Sequence, residues 1–221
     1  DLPKQGPAFD LPIAVGILLS SEQIPLHEIF NDSLFLGELS LDGSLRPIAG
    51  VLPITMMARE RGYARIFVPK GNVDEAAVVD GIDVYSLDSL SDLIKVIRQI
   101  ETIEPVPRPA VNNDNGIKDD VHDFSEVYGQ EKAKRALEIA AAGAHNILMY
   151  GPPGSGKTFL ARAIPTILPP LDSDEMLTVS KIYSIMGRLN KDKPLISVRP
   201  FRSPHHTTSR IGLIGGGQKI S

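Results

Sequence analysis

Apolar residues in the first hundred positions alternate between strand-like runs and helical spacing. Residues 34–41, 65–68 and 82–87 read as strands, and helical patterns lie between and after them. In the clearest helix Leu90, Leu93, Ile94, Ile97 and Ile100 share one face, and Ser89 stands where an N-cap belongs. This alternation predicts an α/β or α+β domain over residues 1–100. From 101 to 122 the periodicity lapses into Pro105, Pro107 and Pro109, then Asn112, Asn113, Asp114, Asn115 and Gly116, the composition of an interdomain linker. Beyond it Ala133, Ala136, Leu137, Ala140 and Ala141 recur at helical spacing, with Gly143 as a natural stop. Residues 146–150 read as a short buried strand. A further helix is expected from about Lys157 to Pro165, which ends it for want of an amide donor. The expected organisation is therefore an α/β chain with a domain at 1–100, a linker at 101–122 and a second domain at 123–221.

Composition narrows the function classes. A chain of 221 residues with 42% hydrophobic content can bury one large core or two modest ones. Its longest apolar run, residues 11–19, is interrupted by Pro12 and Gly16 and falls short of the roughly 20 residues that span a bilayer, so no membrane partner is expected. With no cysteine, disulfides and thiolate metal sites are impossible, and a cytoplasmic location is the expectation. The start at Asp1 and the glycine-rich last stretch predict a piece of a longer protein. Charge is uneven. Residues 1–122 carry 10 basic and 19 acidic side chains, and residues 123–221 carry 13 and 8. A basic second half suits phosphate chemistry, and a nucleic-acid partner equally.

The strongest motif lies in that half. Gly151, Pro152, Pro153, Gly154, Ser155, Gly156, Lys157 and Thr158 match G-x-x-x-x-G-K-[ST], between an expected strand and an expected helix. Glycines let successive amides turn inward around phosphates, and the following helix adds the positive end of its dipole. Lys157 is the candidate to reach the β- and γ-phosphates of ATP, and the Thr158 hydroxyl the candidate ligand to Mg²⁺.

Upstream, the run Asp123, Phe124, Ser125, Glu126, Val127, Tyr128, Gly129, Gln130 resembles the D-F-x-x-V-x-G-Q box of AAA+ ATPases. That resemblance makes Val127, Tyr128 and Gly129 candidates for contact with the adenine. Downstream, Arg199-Pro-Phe201-Arg202-Ser-Pro204-His205-His206-Thr207-Thr208-Ser209, followed by Leu213-Ile-Gly215-Gly-Gly217, resembles a stretch of the ComM/YifB family, bacterial relatives of the magnesium chelatase ATPase subunit. His205 and His206 are adjacent, so on a strand they would face opposite sides, and no carboxylate or cysteine accompanies them. A hydrogen-bonding role is favoured over metal binding. Between Lys181 and Arg210 the only acid is Asp192, which makes a solvated basic face, or one turned to DNA or a subunit.

The first domain carries its own resemblance. Pro3-Lys4-Gln5-Gly6-Pro7-Ala8-Phe9-Asp10 and the stretch from Gly37 through Pro47 and Gly50 to Leu52 are similar to two motifs of Lon proteases. The nucleophilic serine of that pattern falls on Ala8 and its activating lysine on Leu52, so neither attacking oxygen nor general base is present. A Lon-protease-like α+β domain without peptidase chemistry, followed by the start of a P-loop AAA+ α/β domain, is what the resemblances imply. They further imply an ATPase working as a homo-oligomeric ring, a hexamer, whose turnover remodels DNA. The alternative is a chelatase-like or chaperone-like motor acting on a protein partner. No acidic strand of the hhhhDE type follows the P-loop, so the remaining hydrolysis machinery is expected beyond Ser221.

Overall fold

The apolar run at residues 11–19 folds as a helix, α1 (Asp10–Ser20), because its proline, Pro12, lies in the first turn where no intrahelical bond is lost. The computed structural model describes residues 6–108, 122–190, 194–205, 207–209 and 212. They divide into two compact units, one built from Asp1–Gly116 and Leu171–Ser197, the other from Ile117–Pro170 and Val198–Ser221.

In the first unit the stretch expected as one strand over 34–41 is two, β1 (Ser33–Phe35) and β2 (Glu38–Leu39). Gly37 separates them at φ +154°, where a side chain would press on Leu45 and Pro69 at 3.1 and 3.2 Å. β2 turns away to pair antiparallel with β3 (Leu45–Arg46). Gly50, at φ +81°, then starts α2 (Val51–Glu60), whose inner face is Val51, Leu52, Thr55 and Ala58. There follow β4 (Arg65–Pro69), α3 (Val73–Ala76), β5 (Asp83–Leu87) and α4 (Leu90–Ile97).

β1, β4 and β5 form a parallel sheet in that order, with Phe35 opposite Phe67 and Phe67 opposite Tyr85. This register stacks the three rings at centroid distances of 4.9 Å each. Phe35, Phe67 and Leu87 face α1 and α4, packing with Leu11, Val15, Leu93 and Ile97. Ile66, Val68 and Val84 face α2 and α3. Covered on both sides, the central strand β4 is apolar without alternation. The Ser89 hydroxyl accepts from Asp92 N at 3.2 Å as the expected N-cap of α4, whereas Ile100 lies past the helix end and is exposed.

Residues 101–108, expected as linker, run along this unit. Val106 N donates to Val84 O at 2.8 Å, Arg108 pairs with Asp80, and Ile103 and Val106 pack on the two apolar clusters. β5 is the edge strand in the order β1-β4-β5, and Val106 bonds to its outer side. The rest of the expected linker, residues 109–121, lies outside the described residues.

The second unit begins with a 3-10 turn at Phe124–Glu126, followed by α5 (Glu131–Ala142) and α6 (Lys157–Ala163). A second 3-10 turn, Ile164–Thr166, with Pro165 at its start, ends α6 where the proline predicts. Gly143 closes α5 with φ −98°, while the left-handed residue is Ala144. A side chain at Gly143 would meet the ring of the exposed His145, which would have to move aside. The strand expected at 146–150 is absent: those residues are irregular, with Leu148 93% and Tyr150 100% exposed. A strand exists only through its ladder, and among the described residues nothing pairs with this segment.

One further helix, α7 (Ser173–Ile185), opens with a capping box between Asp172 and Glu175. Although the sequence pattern assigns it to a second domain, it belongs to the first compact unit, where it packs on α2. No helix among the described residues is long and apolar enough to cross a membrane.

Candidate functional site

The segment 151–158 folds as a tight loop leading directly into α6. Gly154 and Gly156 are left-handed at φ +77° and +82°, a backbone conformation that favours glycine at both positions. Leu160 N donates to Gly156 O at 2.9 Å, which leaves the amides before it in the first turn without an intrahelical acceptor.

Lys157, half-buried, folds back over the loop. Its ammonium donates to Gly151 O at 2.9 Å, Pro152 O at 2.7 Å and Ser155 Oγ at 3.2 Å, while Ser155 Oγ donates to Pro152 O at 2.9 Å. Three donors thus meet three acceptors of the loop itself, holding a positive charge beside the glycine turns. Thr158, next along, is exposed, as are Pro152 and Pro153. The loop thus carries one cation, held on its own carbonyl and hydroxyl oxygens, beside two left-handed glycines at the start of α6.

Of the three residues expected at the adenine, the structure separates the roles. Val127 is buried with Phe124, Leu137, Leu160 and Ala163, against Met149, so it ties the entry segment to the flanks of the loop. Tyr128 is 93% exposed. Gly129 and Gln130 are both left-handed, at φ +69° and +57°, and aim the chain into α5.

Two contacts had no signal in the motif. Phe124 N donates to Thr166 Oγ1 at 3.0 Å, and that hydroxyl donates to Ala163 O at 2.7 Å, fastening the entry segment to the end of α6. The His122 ring packs tilted against Phe159, centroids 4.7 Å apart, and its Nδ1 lies 3.4 Å from the Glu126 carboxylate. Asp123 caps the first 3-10 turn, and hydrogen bonds from the Ser125 hydroxyl and then its amide hold the Asp123 carboxyl below the usual carboxylate range. His205 Nδ1 hydrogen-bonds within its own turn to Thr207 Oγ1 at 2.7 Å; His206, Arg210 and residues 215–217 lie outside the described residues.

Comparison with known proteins places both parts of the chain together. The family model "Magnesium chelatase, subunit ChlI" matches residues 123–221, and "Subunit ChlI of Mg-chelatase" matches residues 1–72. YifB of Escherichia coli is 40% identical over 218 residues, covering 98% of this chain and 42% of that protein. The competence protein ComM of Haemophilus influenzae is 38% identical over 222 residues, with the same coverage, 98% and 42%. The chain belongs to the ComM/YifB family. It spans less than half the length of these curated relatives. A shorter likeness, 28% over 97 residues, joins 43% of this ComM/YifB chain to 17% of Lon protease 2 of Bacillus subtilis.

Where the Lon-type motif would place serine and lysine, this ComM/YifB chain has Ala8, packed against a core cluster, and Leu52, a fully buried member of that cluster. The two positions therefore share one apolar environment.

Proposed function

We propose that residues 123–221 bind ATP or ADP with Mg²⁺, and that in the whole protein this unit belongs to an AAA+ motor. That motor is a homo-oligomeric ring, a hexamer, acting in the cytoplasm, with turnover coupled to DNA remodelling. The carrying observation is the loop at 151–158, where the Lys157 ammonium is held by Gly151 O, Pro152 O and Ser155 Oγ beside two left-handed glycines. An incoming phosphate exchanges these ammonium–carbonyl contacts for ones in which the acceptor is charged as well. Thr158 offers its hydroxyl to Mg²⁺, and the family's magnesium-chelatase likeness supports nucleotide and Mg²⁺ together. Val127, Tyr128 and Gly129 are the base-contact candidates.

DNA as the client rests on the likeness to a competence protein and on the basic second half of the sequence. The first unit is read as a Lon-like fold without peptidase activity, because Ala8 and Leu52 supply neither nucleophile nor base. Hydrolysis needs more than the loop. A residue that orients water and an arginine finger are also required, the latter contributing about 10³ to 10⁵ in rate. The 221-residue chain is therefore expected to bind nucleotide and turn it over negligibly. The test is ATPase activity of the full-length protein with and without single-stranded or forked DNA. Stimulation is the expected result, and one unchanging rate overturns the DNA reading in favour of a protein client.

A further inference from the structure

Within the second unit, the entry segment is fastened to the end of α6 at one side-chain oxygen. In the 3-10 turn at Phe124–Glu126 three successive amides find acceptors locally. Ser125 N donates to Asp123 Oδ1 at 2.8 Å, Glu126 N to Asp123 O at 2.9 Å, and Val127 N to Phe124 O at 3.2 Å. The Phe124 amide, first in the turn, instead donates to Thr166 Oγ1 at 3.0 Å, 42 residues further along the chain. Phe124 is buried, so an amide left unpaired there is costly.

The same hydroxyl is committed on its other side. Where α6 ends the chain tightens, and Ile167 N donates to Ile164 O at 3.0 Å in place of the α-helical acceptor, Ala163 O. Ala163 is fully buried, and its carbonyl accepts from the Thr166 hydroxyl at 2.7 Å. A hydroxyl has one proton. With that proton given to Ala163 O, the oxygen is left to accept from Phe124 N. Thr166 thus pairs a helix-end carbonyl and a turn amide through a single atom.

The other ties between these segments are less directional. Phe124 and Val127 pack with Leu137, Leu160 and Ala163, and the ring of the exposed His122 rests tilted on Phe159. Such contacts hold the segment against α6 but do not set its register along the helix, whereas the hydrogen bond through Thr166 does. Just beyond Val127, Tyr128 is exposed, and the left-handed Gly129 and Gln130 turn the chain into α5.

We propose that Thr166 is a positioning residue for the base of the bound nucleotide. Through the Phe124 amide it holds Val127, Tyr128 and Gly129 at a fixed place relative to the start of α6, where the phosphates are gripped. The proposal rests on the nucleotide reading of this unit. Thr166 itself touches no phosphate, since about 13 Å of helix separates it from Lys157. Lys157 is held by Gly151 O, Pro152 O and Ser155 Oγ, none of which bonds to Thr166. Loss of the hydroxyl therefore falls on recognition of the base and spares the grip on the phosphates.

The test is calorimetry of the 221-residue chain with Mg²⁺ and either ADP or CDP. These ligands differ in the base and its ribose pucker alone carries no charge difference, so the ratio of their dissociation constants reads the base. The unmodified chain is expected to prefer ADP. Thr166→Val, which keeps the shape and removes both hydrogen bonds, is expected to cut that preference at least about threefold, with CDP affinity changed less than about twofold. Thr166→Ser, which keeps the hydroxyl, is expected to retain the preference. His122→Ala, a change at an exposed side chain, is expected to lower it in the same direction. Equal weakening of ADP and CDP in Thr166→Val shows a purely structural residue and overturns the proposal. An unchanged preference in Thr166→Val, or in His122→Ala where the first variant does not fold, overturns it too. Equal affinity of the unmodified chain for ADP and CDP leaves no base recognition to position, which overturns the proposal while phosphate binding stands. Absence of binding by either ligand overturns the nucleotide reading itself.

Discussion

The Leu52 amide donates to the Glu75 carboxylate at 2.9 Å while the Leu52 side chain is fully buried in the α2–α3 core. Position 52 is therefore anchored by its backbone and committed to packing by its side chain. Restoring a Lon-type dyad would require an ammonium where a fully buried leucine now packs among apolar side chains, at the cost of desolvating the charge. Ala8→Ser alone is expected to give no peptidase activity and no labelling by a serine-directed acylating reagent. Leu52→Lys is expected to destabilise the first unit by about 3 kcal/mol or more, read by denaturant unfolding. Acylation of the introduced serine would contradict the first expectation, and an unchanged midpoint the second.

At the loop, Lys157→Ala removes the ammonium that Gly151 O, Pro152 O and Ser155 Oγ hold in place. ADP affinity is expected to fall at least about tenfold, since hydrogen bonds to charged groups contribute about 1.5–3 kcal/mol. Calorimetry decides it: equal affinity in the variant would remove the nucleotide assignment.

Asp123 offers a pH-dependent reading of the entry segment. Its folded value is depressed by Ser125, so its stabilising contribution is present above the unfolded value near 3.9 and is lost as pH falls through the depressed one. A carbon-13 titration of the carboxyl is expected to show a midpoint below the usual aspartate value, and Ser125→Ala to raise it. A midpoint unmoved by Ser125→Ala would show that the cap does not hold.

Phe67, fully buried between the stacked rings of Phe35 and Tyr85, is the centre of the sheet's aromatic face. Phe67→Ala is expected to cost about 3–5 kcal/mol, because a cavity opens where β1 and β5 cannot both close in. A loss under about 1 kcal/mol in chemical denaturation would mean that the stack contributes little.

The sequence by itself determined what depends on neighbours in the chain. Strands β4 and β5, helix α4 with its Ser89 cap, the stop of α6 at Pro165 and the loop from Gly151 to Thr158 were all legible, because periodicity, capping hydroxyls and turn glycines act over a few residues. Tertiary structure decided what depends on partners far along the chain. Gly37 splits an apolar run where Leu45 and Pro69 close in on it, and residues 146–150 form no strand because nothing among the described residues pairs with them. Val106 adds to the edge of β5, Val127 goes to the core while Tyr128 stays in solvent, and α7 seats on α2 through Ser184 and Glu75. These outcomes turn on which hydrogen-bond or packing partners the fold brings up, and local patterning carries no record of that.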